Sequence, residues 1–281
     1  MEFIKGASVA AAISREISET IEKTGMRPPH LAIIRVGERP DDLSYERGAI
    51  KRMEKVGIRH TVSVMEERVS KEVFLETFDR INGDPDVDGI LLLRPLLPQL
   101  DETMIERRID PQKDVDGISP VNMAHVYAGI PGGYAPCTAE AVMKILHYSG
   151  VEISGKRAVV VGRSLIIGKP LSMLLMKENA TVTVCHTKTK QLEKVCQNAE
   201  ILIAAAGQPK MINRRFVGQG AVVIDVGIHV TEDGKLCGDV DLESISSSAA
   251  LATPVPGGVG AVTTSVLAEH VLLAARKKQG I

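Results

Sequence analysis

The chain has 281 residues, enough for two domains or one large one. Apolar residues make up 44% and charged residues 25%, which excludes a disordered polypeptide. A net charge of −1 with no basic block, no Trp and few other aromatics argues against nucleic acid or an anionic membrane as a partner.

In chain order, residues 6–24 carry Val9, Ala12, Ile13, Ile17 and Ile21 at helical spacing, and Gly25 ends the helix. Residues 31–36 form a strand, 45–55 a helix stopped by Gly57, and 60–65 a second strand. Ser70 caps a helix whose buried face is expected to hold Val73, Phe74 and Phe78, with Gly83 past its end. Residues 88–93 give a third strand, so the order is β-α-β-α-β and the sheet is parallel. Asp101 starts a short helix, residues 110–137 read as loop-rich, and 138–149 as a helix leaving the first domain. Strands at 157–161, 181–185, 201–206 and 221–226 make a second parallel α/β unit. The last helix, about 264–278, is expected to return to the first.

The expected architecture is α/β with two lobes bridged by two helices, residues 1–138 plus 264–281 against 139–263. Ligands of open parallel sheets sit beyond the C-terminal strand ends, so the site is expected between the lobes. Cys137, Cys185, Cys196 and Cys237 lack C-x-x-C spacing and read as packed thiols. No secretory core and no run of transmembrane length is found, so the expected setting is a reducing cytoplasm.

Five stretches stand out. Arg157-Ala-Val-Val-Val-Gly162 is a buried strand ending in glycine; Gly168 and Pro170 then open a helix, an arrangement that presents free N–H groups to a phosphate. Ser164 occupies the second-glycine position of a dinucleotide fingerprint, so an ordinary strand-to-helix turn stays open beside a nucleotide site. Lys113-Asp-Val-Asp-Gly117 is either an Asx-type turn or a carboxylate offered to a polar heterocycle. Pro136-Cys-Thr138 reads as a helix start, and Ile224-Asp-Val-Gly-Ile228 as the end of a buried strand. Pro254-Val-Pro-Gly-Gly-Val-Gly260 makes a backbone wall against which a flat group can lie.

In order and spacing these stretches resemble the methylenetetrahydrofolate dehydrogenase/cyclohydrolase (FolD-type) family over essentially the whole chain. The resemblance implies a parallel-sheet folate lobe and a Rossmann-type NAD(P) lobe, a tetrahydrofolate one-carbon substrate, and a homodimer. It assigns Tyr45 to stacking on the substrate and Asp116 to the pterin, these two serving as the catalytic pair, with Pro256 and Gly257 as the wall. Cofactor contacts map onto Thr138, Gly162, Arg163, Ser164, Ile166, Gly168, Thr187, Ile228, Gly260 and Thr263.

Departures from the pattern cluster in one pocket. The family's Ser-x-x-Tyr-Val-x-x-Lys falls on Asp42, Tyr45, Glu46 and Ala49, so the general acid/base lysine is missing. Its Gln-Leu-Pro falls on Leu93-Arg94-Pro95, and two prolines become Ala139 and Ala261. Lys51 lies on the opposite side of the helix from Tyr45, and Arg52 nearly two turns on. Arg94 cannot relay a proton, because a guanidinium stays charged; it is expected to line the substrate site and pair with Asp42.

Hydride transfer to nicotinamide needs no proton relay, whereas hydrolysis of the methenyl cation needs water deprotonated and a ring nitrogen protonated. The expectation is a dehydrogenase with the cyclohydrolase lost or very weak, and a separate protein carrying out the hydrolysis. A non-catalytic folate- or nucleotide-binding relative and a weak bifunctional enzyme are the alternatives. The second strand of the nucleotide unit ends Cys185-His-Thr-Lys-Thr189 without an acid for ribose hydroxyls, and Arg163 offers a phosphate fork. NADP is therefore expected ahead of NAD.

Overall fold

The apolar runs become strands of two parallel sheets in a computed structural model that describes residues 1–231 and 233–281. In chain order the elements are β1 (Glu2–Phe3), α1 (Gly6–Thr24), β2 (His30–Val36), α2 (Pro40–Val56), β3 (Arg59–Met65), α3 (Lys71–Gly83) and β4 (Gly89–Leu92). Next come α4 (Glu102–Arg108), α5 (Pro120–Ala128), α6 (Cys137–Tyr148), β5 (Arg157–Val161), α7 (Gly168–Lys177), β6 (Thr181–Cys185), α8 (Leu192–Gln197) and β7 (Ile201–Ala204). The chain ends with β8 (Val222–Asp225), β9 (His229–Val230), β10 (Leu236–Cys237), α9 (Leu242–Ile245), β11 (Leu251–Ala252) and α10 (Thr263–Gln279).

One unit comprises Ala12–Cys137 and Thr264–Ile281 and holds the three-stranded sheet β3-β2-β4. All seven residues of β2 are buried, as expected of a central parallel strand with both faces covered, while β3 at the edge alternates. Phe74 and Phe78 of α3 stack with ring centroids 6.3 Å apart in a core with Ile34, Leu92 and Ile105. Ser70 caps α3 by accepting the Val73 N–H, but the Val73 side chain is exposed, not on the buried face as predicted. On a helix it lies 100° from Phe74, beyond the edge of a stripe centred on the two rings.

Two segments differ from the sequence reading. The helix expected from residue 45 begins at Pro40, because proline suits the first helical position and Asp41 and Asp42 complement the helix N-terminus. Residues 110–137, read as loop-rich, contain α5, with Ser119 accepting the Asn122 N–H and Pro120 opening the first turn.

The other unit comprises Met1–Ala11 and Thr138–Thr263, with strand order β1-β11-β8-β7-β5-β6, every neighbouring pair parallel. Val159, Leu202, Val223, Ile212 and Ile245 belong to its core. Residues 1–11 therefore group with the nucleotide-type sheet and not with the first lobe as expected: Glu2 and Phe3 pair with Leu251 and Ala252. The chain passes between the units three times, after Ala11, Cys137 and Thr263, where two crossings were expected. Residues 259–279 are long and apolar enough to cross a membrane, which the sequence reading did not register. This is a core helix: Val266, Leu267, Ala268 and Val271 have no exposed surface.

Candidate functional site

The six-stranded unit has β6 on one side of β5 and β7 on the other, so the strand order reverses there. The crevice beyond the C-terminal ends of β5 and β7 is where such sheets take ligands. β5 ends at Gly162, whose φ of 139° is a left-handed conformation that favours glycine. A Cβ at Gly162 would strike the Ala205 carbonyl oxygen, and one at Gly168 the Gly162 carbonyl oxygen. The two glycines thus let the N-terminus of α7 close directly onto the strand end. Ser164 does not interrupt this turn, because its hydroxyl accepts the Ile167 N–H at 3.1 Å. No side chain caps α7, but Lys169 N–H donates to the Ser164 carbonyl at 3.0 Å, Leu171 N–H to the Ile167 carbonyl at 2.9 Å, and Pro170 has no N–H, so what the turn offers an anion is the exposed Arg163 and Ser164 beside the positive end of the helix. The residues present fit a dinucleotide phosphate.

The other residues assigned to the cofactor are also in this unit. Arg163, Ser164, Ile166, Thr187 and Ile228 are exposed at or beside the C-terminal strand ends. Thr138 is half-buried in the first turn of α6. A Cβ on the exposed Gly260 would lie 3.3 Å from Ile228 Cδ1, and the buried Thr263 hydroxyl donates to the Gly260 carbonyl at 3.3 Å. Pro256 and Gly257 are exposed, with the Gly257 carbonyl accepting the Gly6 N–H at 2.9 Å. A cavity of about 520 Å³ lies at the opposite strand ends, lined by Lys156, Arg157, Asn198, Glu200 and Gly220 among others. Its charges neutralise one another, Glu200 taking Arg157 at 3.3 Å and Lys156 at 3.7 Å, so it has no part in this site.

In the three-stranded unit the two aspartates of Lys113-Asp-Val-Asp-Gly117 separate in role. Asp114 is fully buried and accepts Ile118 N–H at 2.9 Å, Ser119 N–H at 2.7 Å and Asn122 Nδ2 at 2.8 Å. It is the Asx-type turn. Asp116 is half-buried, and its carboxylate accepts the Cys137 N–H at a long 3.4 Å. Burial raises its pKa, opposed by the hydrogen bond from Cys137 and by the charge of Arg94. Tyr45 on α2 has its phenol pushed well above the ordinary range by desolvation, then by the charges of Asp116 and Cys137. Tyr45, Asp116, Arg94 and Cys137 are therefore electrostatic neighbours. Cys137 is the one that sequence reasoning took for mere packing.

The expected Arg94–Asp42 pair does not form. Arg94 Nη1 bonds Glu102 at 3.0 Å and Glu106 at 3.1 Å, carboxylates one helical turn apart on α4, which follows β4 directly. Asp42 takes both donors of Arg39, three residues earlier, at 2.8 and 2.9 Å. The near partner wins in each case, since it costs less side-chain ordering. Glu46 forms a further pair with buried Arg35 at 2.8 Å, and Ala49 has no exposed surface.

A Rossmann-like sheet with a glycine turn at its switch point, accompanied by a second α/β unit bearing a carboxylate–phenol cluster, defines a two-domain NAD(P)-binding protein. The comparisons make this specific: the chain belongs to the tetrahydrofolate dehydrogenase/cyclohydrolase family. Residues 4–116 match its catalytic domain and residues 136–279 its NAD(P)-binding domain. The chain is 49% identical over 278 residues to the bifunctional protein FolD of Clostridioides difficile, covering 98% of this chain and 96% of the relative. The bifunctional methylenetetrahydrofolate dehydrogenase/cyclohydrolase FolD of Campylobacter jejuni superimposes with a TM-score of 0.95 at 36% identity over 99% of both chains. The Trypanosoma brucei dehydrogenase-cyclohydrolase, solved with NADP and an inhibitor, gives 0.92 at 35% identity over 99% of this chain and 98% of its own. These relatives combine the two activities in one chain, which overturns the expectation of a separate cyclohydrolase partner.

Proposed function

We propose that this protein oxidises 5,10-methylenetetrahydrofolate to 5,10-methenyltetrahydrofolate with NADP+, and that its cyclohydrolase activity is very weak or lost. Tyr45 stacks on the folate, Asp116 holds the pterin and Arg94 lines the same pocket; Pro256 and Gly257 give the six-stranded unit an exposed flat wall for a ligand. The dinucleotide lies along Gly162, Arg163, Ser164, Ile166 and Gly168, with Thr138, Thr187, Ile228, Gly260 and Thr263 around it. The nicotinamide supplies a hydride acceptor when bound. The chain's own task in that step is to orient the methylene carbon toward it and to exclude water.

The observation that carries the reading is Ala49. It is fully buried on α2 where the family pattern has its lysine, and the charged side chains beside it on that helix are engaged or exposed. Asp42 is engaged by Arg39, Glu46 by Arg35, and Arg52 by the Ser14 hydroxyl at 2.8 Å. Lys51 is exposed. Loss of a positioned acid/base typically costs about 10²–10⁴-fold. The bifunctional relatives favour a second reading, in which a weak cyclohydrolase persists.

Three exposed groups support NADP: Arg163 in the glycine turn, and Thr187 and Lys188 after β6, with no carboxylate at that strand end. The deciding experiment follows reduced cofactor and methenyl product together by absorbance. Methenyltetrahydrofolate is expected to accumulate in step with NADPH. Stoichiometric formyl product at early times, above uncatalysed hydrolysis, would establish the bifunctional reading instead.

A further inference from the structure

We propose that Asp239, acting with His229, is a positioning residue for the dinucleotide: it locks the turns after β7 and β8 into one platform that presents Ile228. The inference rests on the family's assignment of this unit to NAD(P), and it concerns residues that the cofactor contacts above do not include.

Asp239 has no exposed surface, so it cannot itself touch a ligand. Its carboxylate gathers three consecutive backbone donors of the turn after β7: Ala206 N–H at 2.6 Å, Gly207 N–H at 3.0 Å and Gln208 N–H at 2.9 Å. It also receives His229 Nε2 at 2.7 Å from β9, the residue directly after Ile228. One side chain therefore ties together two turns that are distant in sequence but lie on adjacent strands. The turn after β7 borders the switch point at which the nucleotide is taken, and the turn after β8 lies next to it.

The surrounding geometry is built around this carboxylate. A Cβ at Gly227 would lie 2.5 Å from Asp239 Cγ, so only glycine lets the carboxylate approach the end of β8. Asp225 completes the ring by accepting Gly227 N–H at 3.0 Å, Asp239 N–H at 3.0 Å and Val240 N–H at 2.9 Å. A Cβ at Gly238 would strike Asp225 Oδ2. The platform reaches the glycine turn through Ala205, whose carbonyl oxygen occupies the space a Gly162 side chain would need. A charged acceptor is suited to this task because three parallel N–H dipoles converge on it, and charge-assisted bonds are the stronger ones. Ile228 stands on the platform's outer face with 60% of its surface exposed.

Because Asp239 is fully buried, the test is made through its partner in the full-length protein. His229→Ala removes the donor, and His229→Gln keeps an N–H at the same reach from the backbone. NADPH and NADH are titrated by nicotinamide fluorescence, and steady-state constants are measured for each substrate. His229→Ala is expected to weaken the Kd for NADPH and the KM for NADP+ by about tenfold, the scale of one lost charge-assisted hydrogen bond, with the folate KM and kcat within about twofold. His229→Gln is expected to recover most of the loss. An unchanged NADPH Kd in His229→Ala would overturn the proposal, as would equal losses in both variants accompanied by a raised folate KM. The fluorescence titration needs no turnover, so inactivity toward methylenetetrahydrofolate would sink the functional reading while leaving this test standing.

Discussion

Placing a lysine at Ala49 tests the functional reading most severely. Ala49→Lys puts four methylenes and an ammonium where a methyl group now sits without exposed surface, on the face of α2 shared with Glu46, Met53 and Val56. Overpacking a filled core costs about 1–3 kcal/mol. The carboxylates on its own helix are already engaged, Asp42 held twice by Arg39 and Glu46 by Arg35. Its pKa therefore falls, since burial disfavours the charged form and both carboxylates of α2 already face an arginine. A loss of about 2 kcal/mol lowers the melting temperature by roughly 4–8 °C in a chain of this size. The single variant should recover less than about a tenth of the 10²–10⁴-fold that an acid/base supplies. Ala49→Lys with Leu93→Gln, which adds an amide partner for the amine, should recover at least about tenfold more. The assay is decay of methenyltetrahydrofolate absorbance with enzyme and no cofactor, alongside thermal melts. Full cyclohydrolase in the single variant with an unchanged melting temperature would refute the account of this pocket.

Three further outcomes are expected. Arg163→Ala should raise the KM for NADP+ far more than that for NAD+; equal increases would show that the arginine does not read a phosphate. Arg94→Ala removes a positive charge that holds the Asp116 pKa down, so the acid limb of the kcat/KM profile should move to higher pH; an unmoved limb would separate the two residues. Asp225 is pushed up from 3.8 to about 6 by burial, against its backbone hydrogen bonds. The folded state therefore holds this proton more tightly than the unfolded one, a stabilisation present at low pH and lost as pH rises from about 4 to 6. Relative to Asp225→Asn, which cannot titrate, the wild type should gain up to about 3 kcal/mol between pH 7 and 4 in urea melts. A difference that is flat with pH would contradict that shift.

Much of this protein was written in local pattern. β2 and β5 showed through the apolar runs at 31–34 and 158–161, because a parallel strand is covered on both faces and its burial needs no knowledge of its neighbours. Gly162 and Gly168 marked the nucleotide turn because a backbone that closes on itself excludes a Cβ whatever surrounds it. The order of motifs along the chain was enough to identify the family.

Partner choice is another matter, because it depends on which groups the fold brings within a few ångströms. Asp114 and Asp116 share one five-residue motif, and only the placing of Asn122 and the turn at Ile118 ties the first into the fold while the second meets Cys137. Arg94 and Asp42 looked like natural partners until α4 and Arg39 supplied nearer ones. Helix α5 was hidden because its flanks are rich in proline and glycine and, with Asn122 its one buried residue, it carries no apolar stripe for periodicity to record. Residues 1–11 joined the second unit through a strand pairing some 250 positions away, Phe3 with Ala252. Asp239 carried no signal at all, since a carboxylate that gathers three backbone donors has no spacing to read. Local sequence determines which backbone conformations are open to the chain, whereas the destination of each charge is settled only when distant segments meet.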